Sequence, residues 1–250
     1  MLKSDLAAEL TEAKSHTLEQ DIDRCDVYVD KALSKKIGKP AGNYVTVESR
    51  IAAEGNAARF RRLSKAIADV LRELAPDGKN VLTVGLGNKL LTADALGCLT
   101  IEKTVVYVTE KYAVRVFAPG VAGVTGIESY DVIKGLVEAV APDLVIAVDS
   151  LCASKVSRIA TSFQLSDAGI TPGSGVKNAR KPLSRDTLGV KVISIGVPMV
   201  VYASTILAEG GAGFSGGEDM VVTPKDVDIM VENCAGIIAG AINMFGKKHR

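Results

Sequence analysis

Three uninterrupted apolar runs constrain this chain more than any other feature: NVLTVGLGN from residue 80, DLVIAVD at 143–149 and VKVISIGVP at 190–198. Each has strand length and no polar alternation, so both of its faces must be covered. Helical spacing occupies much of the chain between them. Residues 94–110 read as helix, with VVYV at 105–108 ambiguous, and 127–140 read as helix ended by Pro142. The expected fold is α/β, a mostly parallel sheet with helices on both faces, in one domain over residues 1–250 with its core at 80–209.

The flanks read differently. Leu6, Leu10, Lys14 and Leu18 share one helical face, so the first 24 residues are expected to be helix. CDVYVDKAL (25–33) and NYVTVESRI (43–51) alternate apolar and polar residues and read as half-buried strands, joined through Gly38, Pro40 and Gly42. Residues 54–75 carry the stripe Leu63, Ile67, Val70, Leu71 and Leu74, and Pro76-Asp77-Gly78 stops that helix. VRVFAPG and RIATSFQL read as further strands, and 166–190 as loop. A helix is expected at 199–208, then a Gly-rich loop at 210–217, a last helix after Thr223-Pro224 and a solvated KKHR tail.

Composition excludes several classes. The net charge of +1 gives no general attraction to nucleic acid or anionic lipid, and 4% aromatic residues make a poor base-stacking platform. No leader is expected from the charged N-terminal stretch, and no membrane span from the absence of a long uncharged apolar run. Cys25, Cys98, Cys152 and Cys234 form no CxxC pair, so a structural zinc site or redox dithiol is not indicated, and buried thiols in a reducing cytoplasm are expected. The only histidines, His16 and His249, lie in polar terminal surroundings. Neither offers a base to a Ser or Cys nucleophile, so Cys152 reads as an inert thiol.

In parallel sheets, sites form beyond the carboxyl ends of the strands. Gly85-Leu86-Gly87-Asn88 follows the first run, but Leu90 stands where a dinucleotide fingerprint needs its third glycine. Asp94 follows, readable either as a helix-capping acid or as a site acid. Asp149 ends the second run and carries the same two readings. If the two acids converge, mutual repulsion raises one pKa, and the pair can serve as base and acid or hold a divalent metal. The stretch DAGITPGSGVKNARKPLSRDTLG (167–189) offers many donors, either to a substrate or at a subunit contact.

Those segments carry a resemblance. VGLGNKLLTADALG, APGVAGVTGIES, PDLVIAVDSL, SDAGITPGSGVKNARKPLSRDTLG and VISIGVPMVV together resemble the spore germination protease family, as do KPAGNYVTVE and TPKDVDIMVEN. The resemblance implies an endopeptidase that degrades small acid-soluble spore proteins, with Asp94 and Asp149 as its catalytic pair. It implies a homotetramer in the cytoplasm of the spore core, with no membrane or nucleic-acid partner and no required cofactor, a divalent metal being the alternative. Gly87, Asn88, Ser174 and Asn178 are the candidates for substrate or oxyanion contacts. Family members are made as zymogens, and Ser4-Asp5-Leu6-Ala7 matches the processing pattern, which places the cut between Asp5 and Leu6. Tyr202 stands where the family has an Asp. The GLGN turn with a later strand Asp is also similar to hydrogenase maturation endopeptidases, which add a metal-binding His that this sequence does not offer at a matching place.

Overall fold

A computed structural model describes residues 4–176, 178–210 and 220–247. In chain order it contains β1 (Lys14–Glu19), β2 (Ile22–Val29), α1 (Lys31–Ile37), β3 (Gly42–Glu48), α2 (Ala57–Leu74), β4 (Asn80–Gly85), α3 (Leu96–Lys103), β5 (Tyr107–Val108) and β6 (Ala113–Phe117). There follow α4 (Ala122–Thr125), α5 (Ser129–Val140), β7 (Leu144–Ala153), β8 (Ser162–Ser166), α6 (Arg185–Leu188), β9 (Lys191–Tyr202), α7 (Ala203–Glu209), β10 (Val221–Val222) and α8 (Val227–Lys247).

All the strands join one sheet in the order β1-β2-β3-β8-β9-β7-β4-β6-β5, with β10 on the far end of β9. The three apolar runs are the adjacent central strands β9, β7 and β4, and they pair in parallel, as does β6 on β4. The flanking strands pair antiparallel, so the parallel character belongs to the centre of the α/β sheet. Alternate residues of the central strands face opposite layers. Val81, Leu144, Ile146 and Ile193 meet Leu63, Ile67 and Leu71 of α2 and Ile238, Ile242 and Phe245 of α8. Leu82, Val145, Ala147 and Val192 meet Tyr130 and Ile133 of α5 and Leu188 of α6. Each such fully buried side chain stabilises the fold by about 1.5–3 kcal/mol. Helix α8 is long and apolar enough by composition to cross a membrane, but Cys234, Ile237, Ile238, Ala241 and Ile242 are buried in this core.

Several expectations need correction. Residues 4–24 are not a helix: among the described residues a single 3-10 turn, Ala7–Glu9, precedes the β1–β2 hairpin. Asp21 at φ 65° makes that hairpin's turn, and backbone pairing with β2 outweighs the weak leucine spacing. The strand expected at 25–33 starts earlier and stops at Val29. Asp30 there accepts hydrogen bonds from the backbone N–H groups of Ala32 and Leu33 and starts α1. The helix expected at 94–110 is a turn at Thr92–Asp94 followed by α3, with Tyr107–Val108 joining the sheet. The helix expected at 199–208 begins only at Ala203, because β9 runs on to Tyr202 and pairs with β10. Most of the 210–217 loop and the last three residues of the tail, 248–250, lie outside the described residues.

Candidate active site

The GLGN turn leaves β4 beside the middle of β7, where the Leu86 N–H donates to the Val148 carbonyl at 2.8 Å. A Cβ on Gly97, in the first turn of α3, would overlap the Leu86 backbone and the Val148 carbonyl. One on Gly85 would overlap the Gly97 carbonyl. Gly87 takes φ +97°, and a Cβ there would strike the backbone of Asp94. The glycines therefore serve close packing of backbone on backbone, which brings the Thr92–Asp94 turn against the strand ends.

Neither capping reading holds. The N-cap of α3 is Ala95, and the Asp94 carboxylate instead accepts the Asn88 N–H at 2.7 Å. Asp149 lies inside β7, opposite Gly196 of β9, and the strand continues past it to Ala153. Its Oδ1 accepts the Ser150 N–H at 3.0 Å, and the residue is 6% exposed.

Both acids line one cleft of about 670 Å³. Burial pushes the Asp149 carboxyl well above the usual carboxylate range, and the charges of Asp94 and then Asp5 push it further. Burial also raises Asp94, while the Asn88 N–H pulls it back down. Asp149 is thus the more strongly proton-holding of the two; Asp94 is raised as well, the Asn88 N–H offsetting only part of the effect of its burial.

Among the other expected residues, Gly87, Ser174 and Asn178 line the same cleft. Asn88 is not among the lining residues: its N–H is committed to Asp94, and its side-chain Oδ1 accepts the Leu90 N–H at 3.0 Å. The backbone N–H of Asn178 donates to the Gly173 carbonyl at 2.9 Å. Tyr202 donates its hydroxyl to the Gly175 carbonyl at 2.7 Å and so ties the end of β9 to the 174–176 turn. The Cys152 thiol is buried, and desolvation with the charges of Asp5 and Glu9 pushes it up to about 12, so it is no thiolate.

Asp5 and Leu6, expected as a processing site, sit in and beneath this cleft. Asp5 is 7% exposed and lines the cleft, while the Leu6 side chain is wholly buried in the main core. Asp5 Oδ1 lies 3.1 Å from Ser174 Oγ and 3.4 Å from Lys39 Nζ, and Oδ2 accepts the Cys152 N–H at 3.0 Å. The Gln164 side chain also touches this segment, donating to the Asp5 carbonyl and accepting from the Ala7 N–H. Sequence reasoning passed over Lys39 and Gln164. No local signal marks Gln164: in SFQLS the polar Ser162, Gln164 and Ser166 alternate with Phe163 and Leu165 and read as a solvent face, although all five residues are buried.

Among the described residues no group of three or more His, Cys, Asp and Glu is arranged to hold a metal ion. His16 lies on exposed β1 opposite Arg24, and His249 lies outside the described residues.

Comparison with known proteins places the chain. A family model described as germination protease matches residues 8–211. A germination protease from Caldanaerobacter subterraneus subsp. tengcongensis is 36% identical over 264 residues, covering 86% of this chain and 82% of the relative. One from Clostridium perfringens (strain ATCC 13124) is 32% identical over 306 residues, covering 97% and 94%. The Bacillus subtilis germination protease is 39% identical over 241 residues, covering 84% and 66%. A solved NiFe hydrogenase maturation protease from Thermococcus kodakarensis matches with a TM-score of 0.44 and 22% identity, covering 69% of this chain and 98% of that one. This chain belongs to the germination protease family.

Proposed function

We propose that this peptidase hydrolyses small acid-soluble spore proteins as spores germinate, using Asp94 and Asp149 on a bound water. The observation that carries this reading is that the buried Asp149 carboxyl and the Asn88-bound Asp94 carboxyl line one cleft, where burial and the neighbouring acids push Asp149 upward. Two acids in different environments divide the work. Asp94 takes a proton from the attacking water, and Asp149 gives its proton to the departing amine. Backbone and side-chain donors of the 167–180 stretch face the cleft and stabilise the charge developing on the carbonyl oxygen.

On this reading the chain is a zymogen cut between Asp5 and Leu6, because the segment that carries the processing pattern already lies in the cleft. It works without a resident cofactor, as a homotetramer in the cytoplasm of the spore core, on unfolded substrate and with no membrane or nucleic-acid partner. The test is intact mass of a small acid-soluble spore protein after incubation with the chain freed of residues 1–5, unaltered or carrying Asp94→Asn or Asp149→Asn. Fragments ending in an acid, made only by the unaltered chain, support the reading. Cleavage by both variants overturns the aspartate pair.

A further inference from the structure

We infer that Lys39, the Ser174 hydroxyl and the Cys152 main-chain N–H form a receptor for an acidic side chain immediately before the cleaved bond, and that the chain's own Asp5 occupies it. The inference rests on the peptidase reading above. Both oxygens of the Asp5 carboxylate are engaged. Oδ1 faces Ser174 Oγ at 3.1 Å and Lys39 Nζ at 3.4 Å, and Oδ2 accepts the Cys152 N–H at 3.0 Å. The Lys39 and Asp5 side chains are only 15% and 9% exposed, so their attraction is little screened. Gly175 completes the seat, because a Cβ there would overlap Asp5 Oδ2.

The backbone around this carboxylate is held as a peptide added to a strand. The Asp5 N–H donates to the Cys152 carbonyl at 2.8 Å, and Gln164 bonds to the Asp5 carbonyl and the Ala7 N–H. Any residue can make those main-chain bonds, so they give affinity without selection. Selection falls to the side-chain seat, whose two side-chain groups and one amide all present donors. An acid followed by an apolar residue that can fill the place of Leu6 is the sequence this arrangement accepts. While Asp5 sits there, a substrate cannot, so the same seat that reads the substrate keeps the uncut chain closed.

The test uses the full chain carrying Asp5→Ala and Leu6→Ala, to empty the seat and the place beside it, and Asp149→Asn, to prevent hydrolysis. Calorimetry then compares the capped peptides Ser-Asp-Leu-Ala and Ser-Asn-Leu-Ala. The acidic peptide is expected to bind about ten- to a hundredfold tighter, the usual effect of charge-assisted hydrogen bonds. Adding Lys39→Met should shrink that preference to a few-fold. Equal binding of the two peptides, no binding of either, or a preference that survives Lys39→Met overturns the receptor. A second measurement covers misfolding of the emptied chain: self-cleavage of the otherwise unaltered protein, followed by mass. Asp5→Asn should slow it at least tenfold and Asp5→Glu much less; equal rates overturn the receptor. A Lys39-dependent acid preference with no hydrolysis by any form supports the receptor and refutes the peptidase reading. Hydrolysis indifferent to the acid does the reverse.

Discussion

Gln164 brackets Leu6: its Nε2 donates to the Asp5 carbonyl oxygen at 3.1 Å, and its Oε1 accepts the Ala7 N–H at 2.7 Å. One planar amide thus fixes the register of the N-terminal segment against β8. Gln164→Leu leaves a buried carbonyl and a buried N–H without partners. Each orphan costs roughly 1–3 kcal/mol, so the urea denaturation midpoint should fall clearly.

Asp94→Asn and Asp149→Asn should each slow hydrolysis by about 10²–10⁴-fold, the usual contribution of a positioned acid or base. The double variant should be scarcely slower than the worse single one, because the pair acts as a unit. Single-turnover rates on a spore-protein substrate measure this directly.

Stability should depend on pH in a direction set by Asp149. Its folded pKa lies above its unfolded one, so the native chain holds a proton that the unfolded chain releases. That contribution is fully present near and below the ordinary carboxylate range, and is lost as pH rises toward the folded pKa. Asp149→Asn weakens the dependence, leaving the smaller one from the raised Asp94, and should raise stability at neutral pH by about 0.5–2 kcal/mol, as removal of a functional compromise commonly does. Melting curves from acid to neutral pH, on both forms, test the sign.

Gly97→Ala should be harmful beyond its size. The added methyl meets the Leu86 backbone and the Val148 carbonyl, which cannot swing away as a flexible side chain can. Overpacking of this kind costs about 1–3 kcal/mol or more, and here it also shifts the turn that carries Asp94. Both the melting temperature and the hydrolysis rate should drop.

Exhaustive chelation should leave hydrolysis unchanged if the two acids act on water unaided. A loss restored by a divalent cation would instead make them metal ligands.

The sheet centre was legible because β9, β7 and β4 are buried on both faces, and only continuous apolar runs can satisfy that. Asp149 was legible as a position for the same reason, an acid ending such a run, and Asp94 as an acid in the turn that follows another. Their surroundings were not. The capping readings fail on local backbone geometry, and the extent of β7 beyond Asp149 depends on its pairing with β9. Strand β1 escaped notice because nearly all of it is exposed, so no apolar alternation marks it. Lys39 and Gln164 gain their meaning from Asp5, and the Asp5–Gln164 contact spans 159 positions of chain. No local pattern encodes a contact of that kind.

The complete burial of Leu6 gives a cut at its amide bond a direction. Breaking that bond turns a neutral amide into an ammonium and a carboxylate, both away from water. Keeping the two new ends where they were made is costly unless each finds a partner. On the proposed processing the severed segment would therefore be driven out rather than held for resealing, and the burial that seats the uncut chain would act as a ratchet.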